Sequence, residues 1–336
     1  MKLLRLLRNL LLVALVVGGF LFYRVTRPYQ GFTGTTYVEL PHGTSTGGMA
    51  SALAQAGVVG SRWDFWTARL VRQVRAPGQV LQAGEYAFDH AASPLEVCSR
   101  IARGDIFYYE LVVPEGKNMF DIGAAVEQFG VFKADEFVKA AQDPTTIRDL
   151  DPQAPSLEGY LFPKTYRIGR RTTPQQLCRM MTDGFRTAWR GLHTEADVHQ
   201  TVTLASLVEK EGKLAEERPR IAAVFANRLR LGMKLDCDPT TVYAALLLGV
   251  YRGTIYRSDL DRSHPYNTYS HVGLPPGPIA NPGVASIQAA LHPAVSEDLY
   301  FVKLPDNTGG HRFSTNVADH NAAAERYRRG LSKQIR

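Results

Sequence analysis

Cysteine is scarce here: three in 336 residues, Cys98, Cys178 and Cys237, far apart in the chain. No CxxC pair occurs, which removes the common redox and zinc-ribbon patterns. One pair could join in an oxidising compartment, but an odd count and wide spacing do not say which. The nine histidines are scattered, with no HExxH helix to hold a catalytic zinc. Cys237 lies between Asp236 and Asp238, whose charges disfavour a thiolate, and a nucleophilic serine or cysteine site is not supported. There is also no long lysine or arginine run. The net charge of +7 is dispersed, whereas nucleic-acid binding usually concentrates it. The expectation is no cofactor, no metal and no nucleic-acid partner. A dispersed basic surface suits phospholipid headgroups or carboxylate-rich polymers.

What the chain does contain at its start is an apolar run. Lys2, Arg5 and Arg8 precede the uncharged stretch 9–23, and Arg24 and Arg27 follow it. Leu3, Leu4, Leu6 and Leu7 lengthen it towards the roughly 20 residues of a spanning helix, with arginines snorkelling. A cleaved signal peptide is the alternative, but bulky Phe20, Leu21, Phe22 and Tyr23 stand where a peptidase requires small residues. Residues 1–27 are therefore read as a cytoplasmic tip and uncleaved transmembrane anchor. The heavier positive charge before the run favours a cytoplasmic N-terminus, with everything after about residue 28 extracytoplasmic.

The fold class expected for the remainder is α+β. Alternation predicts strands at 36–40 and 84–88, with helical patterns at 47–56 and 63–74 between them and a serine-capped start at Ser93-Pro94. This small αβ subdomain, residues 36–107, reads as a carbohydrate-binding unit of the LysM kind or as a spacer. Residues 108–155 form a small αβ connecting unit: an alternating strand at 108–114, then a helix through Phe129. Its segment 144–155 has the proline- and aspartate-rich composition of an exposed linker. The third region, residues 156–336, is mixed α+β. It opens on Leu157-Glu158-Gly-Tyr-Leu-Phe-Pro-Lys-Thr-Tyr166, whose aromatics serve a packed turn near a sugar or simply fill a core. Thr194 is read as the cap of a helix ending at two glutamates, and Pro219 opens a helix stopped by Gly232. Asp238-Pro239 and Asn281-Pro282 each look like a cap followed by an opening proline. A hairpin at 299–304 and 311–315 and a last amphipathic helix complete the region.

The chemistry-bearing stretch is Thr203-Leu-Ala-Ser-Leu-Val-Glu209-Lys-Glu211-Gly212. On a helical wheel Lys210 points away from the apolar arc, Glu209 falls by Val198 and Val202, and Glu211 falls between Leu204 and Leu207. Both glutamates border the buried face. Glu211 has the larger apolar neighbours, and Gly212 would let a ligand approach. Desolvation there raises a carboxyl's pKa, as a general acid requires; a solvated side chain is the alternative. Tyr266, Asn267 and Tyr269, with Asn281 beyond them, offer rings that stack on sugars and amides that bind hydroxyl and acetamido groups. The glycines and prolines around them fit plain turn chemistry equally well.

Several motifs in fixed order then resemble one family. They are EGYLFPxTY at 158–166, LASLVEKE at 204–211, ERPRIAAVFANRLRLGMKLDCDPT at 217–240, YNTY at 266–269, GLPPGPIANPG at 273–283, HPA at 292–294, and YFV and GGHRFSTN near the end. Together they are similar to the YceG-like (MltG-type) endolytic murein transglycosylases from about residue 36 onward. The resemblance implies an inner-membrane, single-pass enzyme with a LysM-like subdomain and a catalytic domain at 156–336 facing the periplasm or wall. It implies a lytic transglycosylase that cleaves the bond between N-acetylmuramic acid and N-acetylglucosamine within nascent peptidoglycan strands, leaving 1,6-anhydromuramoyl ends and so terminating elongation. Penicillin-binding proteins or other wall synthases are the implied partners. The family's catalytic glutamate lands on Glu211, and Tyr266 and Asn267 match family positions beside it. Tyr269, Glu158 and Asn281 complete the expected substrate-binding set, while Asp238 is read as a helix cap. Two departures stand out: Lys164 where aspartate is frequent, and Cys237 where a small polar residue is usual. A noncatalytic wall-binding scaffold and a water-using muramidase are the alternatives.

Overall fold

Strands at the predicted places pair as the alternation requires. In the computed structural model, which describes residues 2–306 and 308–334, the chain divides into two units, 1–108 and 109–336. The first begins with α1 (Lys2–Thr26), apolar enough and long enough to cross a membrane and exposed along nearly its whole length. Val25 at its end is fully buried in this unit's core. There follow β1 (Thr36–Leu40), α2 (Thr46–Gln55), α3 (Arg62–Arg75), β2 (Gly84–Phe88) and α4 (Pro94–Arg103). The two strands are antiparallel, Thr36 opposite Phe88 and Leu40 opposite Gly84, which turns Val38, Leu40, Tyr86 and Phe88 inward. Each helix start carries a serine: Ser45, Ser61 and Ser93 accept from the backbone N–H of Gly48, Asp64 and Glu96. The run Gly43-Thr-Ser45-Thr-Gly47 has the spacing of a nucleophile elbow, but Ser45 caps α2, 3.1 Å from the Gly48 amide.

In the second unit β3 (Tyr109–Val112) pairs antiparallel with β4 (Thr165–Ile168), Tyr109 opposite Ile168. Between them lie α5 (Met119–Glu127) and α6 (Ala134–Ala141). The segment read as an exposed linker is exposed at Thr145, Arg148, Asp149, Pro152, Gln153 and Pro155, but Ile147, Asp151 and Ala154 are buried, and Asp151 holds the Tyr160 hydroxyl and His199. Tyr160 fills core against Phe185, so the aromatics at 157–166 pack the interior here. Next come α7 (Pro174–Gly191), α8 (Val198–Glu211), α9 (Arg218–Arg230), α10 (Asp238–Leu247), α11 (Arg257–Leu260), α12 (Val284–Leu291), the hairpin β5 (Tyr300–Lys303) and β6 (His311–Ser314), and α13 (Val317–Gln334). The cap of α8 is Asp197, whose carboxylate accepts from the Gln200 N–H; Thr194 caps only a local turn. Gly283 takes the cap position of α12, and Asn281 lies two residues outside it.

Helix α8 is buried on every side from Thr201 to Val208, packed against α12, α9 and α10. Ser206 makes such burial tolerable: its hydroxyl donates to the Thr203 carbonyl at 2.7 Å and accepts from the Ile279 N–H at 3.1 Å. Only the last turn emerges, and the glutamates sit there.

Candidate active site

The last turn of α8 sends its three charged residues to three different places. Lys210 is exposed and donates to the Gly116 carbonyl at 3.2 Å. Glu209 turns inward, its side chain only 6% exposed, where it pairs with Arg218 at 3.3 Å and accepts from the Gly283 N–H at 3.1 Å. Glu211 lines a cleft of about 850 Å³. Gly212 is not an open door for a ligand: a Cβ there would lie 2.9 Å from the Arg218 side chain and 3.0 Å from the Val208 carbonyl. Its missing side chain makes room for Arg218.

Burial raises the Glu211 carboxyl above its ordinary 4.5, with Asp238 adding repulsion; a Cys237 hydrogen bond, Lys303 and His311 pull the other way. The Cys237 thiol donates to Glu211 Oε1 at 3.5 Å. Burial and the neighbouring Glu211 hold that thiol well above its ordinary 9.0. Cys237 is positioned from behind: its N–H donates to Thr268 Oγ1 at 3.0 Å, and that hydroxyl also meets Thr240 Oγ1 at 2.9 Å. All three cysteines are free and buried. Because the thiol favours the ionised carboxyl, Cys237→Ala should raise the Glu211 pKa further, read from the pH titration of its carboxyl carbon by NMR. An unmoved or lowered titration would contradict the electrostatic weight given to this contact.

The same cleft is lined by Tyr269 and Asp238, joined by a 2.6 Å hydrogen bond from the tyrosine hydroxyl to Asp238 Oδ1. Asp238 is the first residue of α10 rather than its cap; Cys237 occupies the cap position without a side-chain bond. Asp236 also faces the cleft and pairs with Arg228 at 3.2 Å. Tyr251 and Tyr300 add aromatic wall, and Asn118 adds an amide. His311 sits at the start of β6, its Nδ1 2.8 Å from Glu217 and its buried Nε2 without a hydrogen-bond partner among the described residues. Lys303, directly across the hairpin from His311, brings a cation to the same wall.

Of the residues expected from sequence, the structure brings Glu211 and Tyr269 to the cleft. Asn267 has no exposed surface: its Nδ2 donates to the carbonyls of Asp259, Leu260 and Arg262, and its Oδ1 accepts from the Tyr269 N–H. It shapes the loop that presents Tyr269. Tyr266 is 8% exposed and packs its ring 5.1 Å from that of Tyr243. Glu158 and Asn281 are fully buried and bound to each other at 2.8 Å. Glu158 Oε2 also accepts from the Met119 N–H at 2.9 Å. Four of the six expected residues thus lie outside the cleft lining: the side-chain polar atoms of Asn267, Glu158 and Asn281 are engaged by protein, and the Tyr266 ring packs against Tyr243. Asn118 was not singled out from sequence, since its segment carries no motif of its own; His311 lies within GGHRFSTN and Lys303 directly follows YFV, but nothing in those motifs marks either as a cleft residue. Asp238 was singled out, but as a cap. Among the described residues no group of three or more His, Cys, Asp or Glu side chains is placed to hold a metal ion.

Burial raises the Glu158 carboxyl from 4.5 to about 8. An unfolded chain releases that proton near 4.5 and the folded one near 8, so between these values the folded state binds more protons. Stability therefore falls as pH rises through this window, by on the order of a few kcal/mol, and levels off above it. Urea midpoints at pH 5, 6.5 and 8.5 should decline in that order, and Glu158→Gln should flatten the trend. A wild-type profile that rises instead would contradict the burial argument.

The chain belongs to the YceG-like family, whose sequence model matches residues 38–326. It is 32% identical over 337 aligned positions to the endolytic murein transglycosylase of Bacillus subtilis (strain 168), covering 93% of this chain and 91% of that one. It is 30% identical to the endolytic murein transglycosylase of Streptococcus pneumoniae serotype 2 (strain D39 / NCTC 7466), over 84% of this chain and 57% of that longer protein. The crystal structure of a yceG-like protein from Listeria monocytogenes superposes with a TM-score of 0.54 at 29% identity, covering 87% of this chain and 99% of the other.

Proposed function

We propose that this protein is an endolytic murein transglycosylase: it cuts peptidoglycan strands internally between N-acetylmuramic acid and N-acetylglucosamine and leaves 1,6-anhydromuramoyl ends. The observation that carries the chemistry is Glu211, an acid with a raised pKa facing an aromatic-walled cleft. Protonated, it donates to the glycosidic oxygen as the bond to the departing sugar breaks. The oxocarbenium-like carbon is stabilised by the muramoyl 2-acetamido group. The carboxylate left behind takes the proton from the C6 hydroxyl, whose oxygen closes onto C1. Because the nucleophile is already part of the sugar, ring closure is intramolecular and no water enters. Tyr269 and Tyr251 supply faces for the sugar rings, and Asn118 an amide for an acetamido group.

Helix α1 serves as a single anchor with a cytoplasmic N-terminus, so the catalytic unit works on the outer side of the inner membrane. The strand-helix-helix-strand order of the first unit supports a LysM-like glycan-binding role. Wall synthases such as penicillin-binding proteins are the partners this placement favours. A water-using hydrolase is the second reading, because Asp238 puts another carboxylate in the cleft. Incubating the full-length protein with uncrosslinked glycan strands and weighing the products separates the readings. Anhydro ends are expected; reducing ends would establish the hydrolase, and no cleavage a binding scaffold.

A further inference from the structure

Helix α3 carries an apolar face that nothing in its own unit covers. Trp63, Trp66, Leu70 and Val74 are 65%, 44%, 65% and 80% exposed, and their spacing puts them on one arc of the helix, opposite Phe65 and Ala68 in the core. Both ends of the helix are basic. Arg62 lies 5.2 Å from the Trp63 ring, Arg75 ends the helix, and Asp64 is the helix's one acidic residue.

Asp64 fixes where this face lies. Its carboxylate accepts from Arg24 at 2.8 Å, and Arg24 belongs to the last turn of α1, one residue before the buried Val25. At 1.5 Å per residue, about 30 Å of hydrocarbon counted from Leu3 ends near Tyr23. Arg24 and its partner Asp64 are therefore at headgroup level, and Trp63 is the next residue. Tryptophan, with an apolar body and a single N–H, is suited to that boundary, and arginines beside it meet lipid phosphates. An upright α3 would bring only Trp63 to this depth, whereas the arc runs the whole length of the helix.

We infer that α3 lies along the outer surface of the bilayer in which α1 is anchored, with Trp63, Trp66, Leu70 and Val74 inserted at the headgroup–acyl boundary. The occupant of the face is lipid. The helix gives the first unit a second foothold beside α1 and limits its swivel about the anchor. This inference rests on the reading of α1 as a membrane anchor.

The test uses the full chain reconstituted in vesicles of phosphatidylethanolamine and phosphatidylglycerol, with and without phospholipid brominated at shallow acyl carbons. The emission of Trp63 and Trp66 is the difference between wild type and Trp63→Phe/Trp66→Phe, which retains the buried Trp189. Brominated lipid should remove most of that difference, and iodide in the water should leave it largely intact. Emission quenched by iodide but not by bromine overturns the inference, and so does emission shielded from both, which would mean a protein covers the face. Flotation at alkaline pH distinguishes the two levels. A chain that floats with unquenched tryptophans refutes only the placement of α3; a chain that washes off refutes the anchor and the placement together.

Discussion

Glu211→Gln lowers the formation of 1,6-anhydromuramoyl ends by about 10²–10⁴-fold, the usual contribution of a positioned general acid. Gln is close to Glu in shape, so the cleft and its affinity for glycan strands stay as they are, but the amide cannot release a proton to the leaving oxygen or collect one from the C6 hydroxyl. Both halves of the reaction fail through one substitution. The neighbouring Glu209→Gln is the matched control. It loosens the contacts to Arg218 and the Gly283 amide and lowers thermal stability, while turnover per folded molecule stays close to wild type. Mass spectrometry of digests, normalised to folded protein by circular dichroism, reads both variants. Wild-type rates from Glu211→Gln would remove that residue from the chemistry, and a loss confined to Glu209→Gln would transfer the role to it.

Helical periodicity alone left these two glutamates nearly equivalent, since both border the apolar arc of α8. They differ in which nearby atoms reach them: Arg218 and Gly283 claim Glu209, while Cys237, close by in the fold, meets Glu211. Contacts of that kind are set by how α9, α10 and the 281–283 loop pack, and no window of local sequence contains them. The regular elements were more legible. Alternation located β1, β2 and the β5–β6 hairpin, and Ser93-Pro94 and Gly232 marked the start of α4 and the stop of α9. Helix α7 is absent from the expected elements although Thr173 and Gln176 form a capping box with Pro174 at the first position, a start signal as strong as any in the chain. Proline and aspartate at 144–155 suggest exposure, which holds for Asp149, Pro152 and Pro155 but not for Asp151. There Asp151 is buried because Tyr160 and His199 meet its charge, a tertiary compensation invisible in the local string. The sugar-binding look of Asn267 and Asn281 has the same cause. An amide that can bind an acetamido group can equally bind backbone, and sequence does not say which is nearer.

Asn281→Ala is the variant that makes this distinction measurable. Asn281 Oδ1 accepts from the N–H groups of Gly159 and Leu161 at 2.8 and 2.9 Å, and its Nδ2 donates to the Lys117 carbonyl and to Glu158, both at 2.8 Å. Three stretches of chain distant in sequence are tied by one side chain: the loop that carries Asn118 to the cleft, the 158–161 turn, and the segment leading into α12. Alanine leaves two buried amides and a buried carboxyl without their partner. At about 1–3 kcal/mol for each of the three unsatisfied groups, the loss is at least about 3 kcal/mol, a large fraction of the stability of a typical domain. The urea midpoint should fall accordingly. At a temperature where the variant remains folded, KM for glycan strands should stay within about twofold of wild type, since no atom of Asn281 reaches the cleft. A variant of normal stability with a greatly raised KM would instead make Asn281 a substrate ligand and require the 281–283 segment to open on binding.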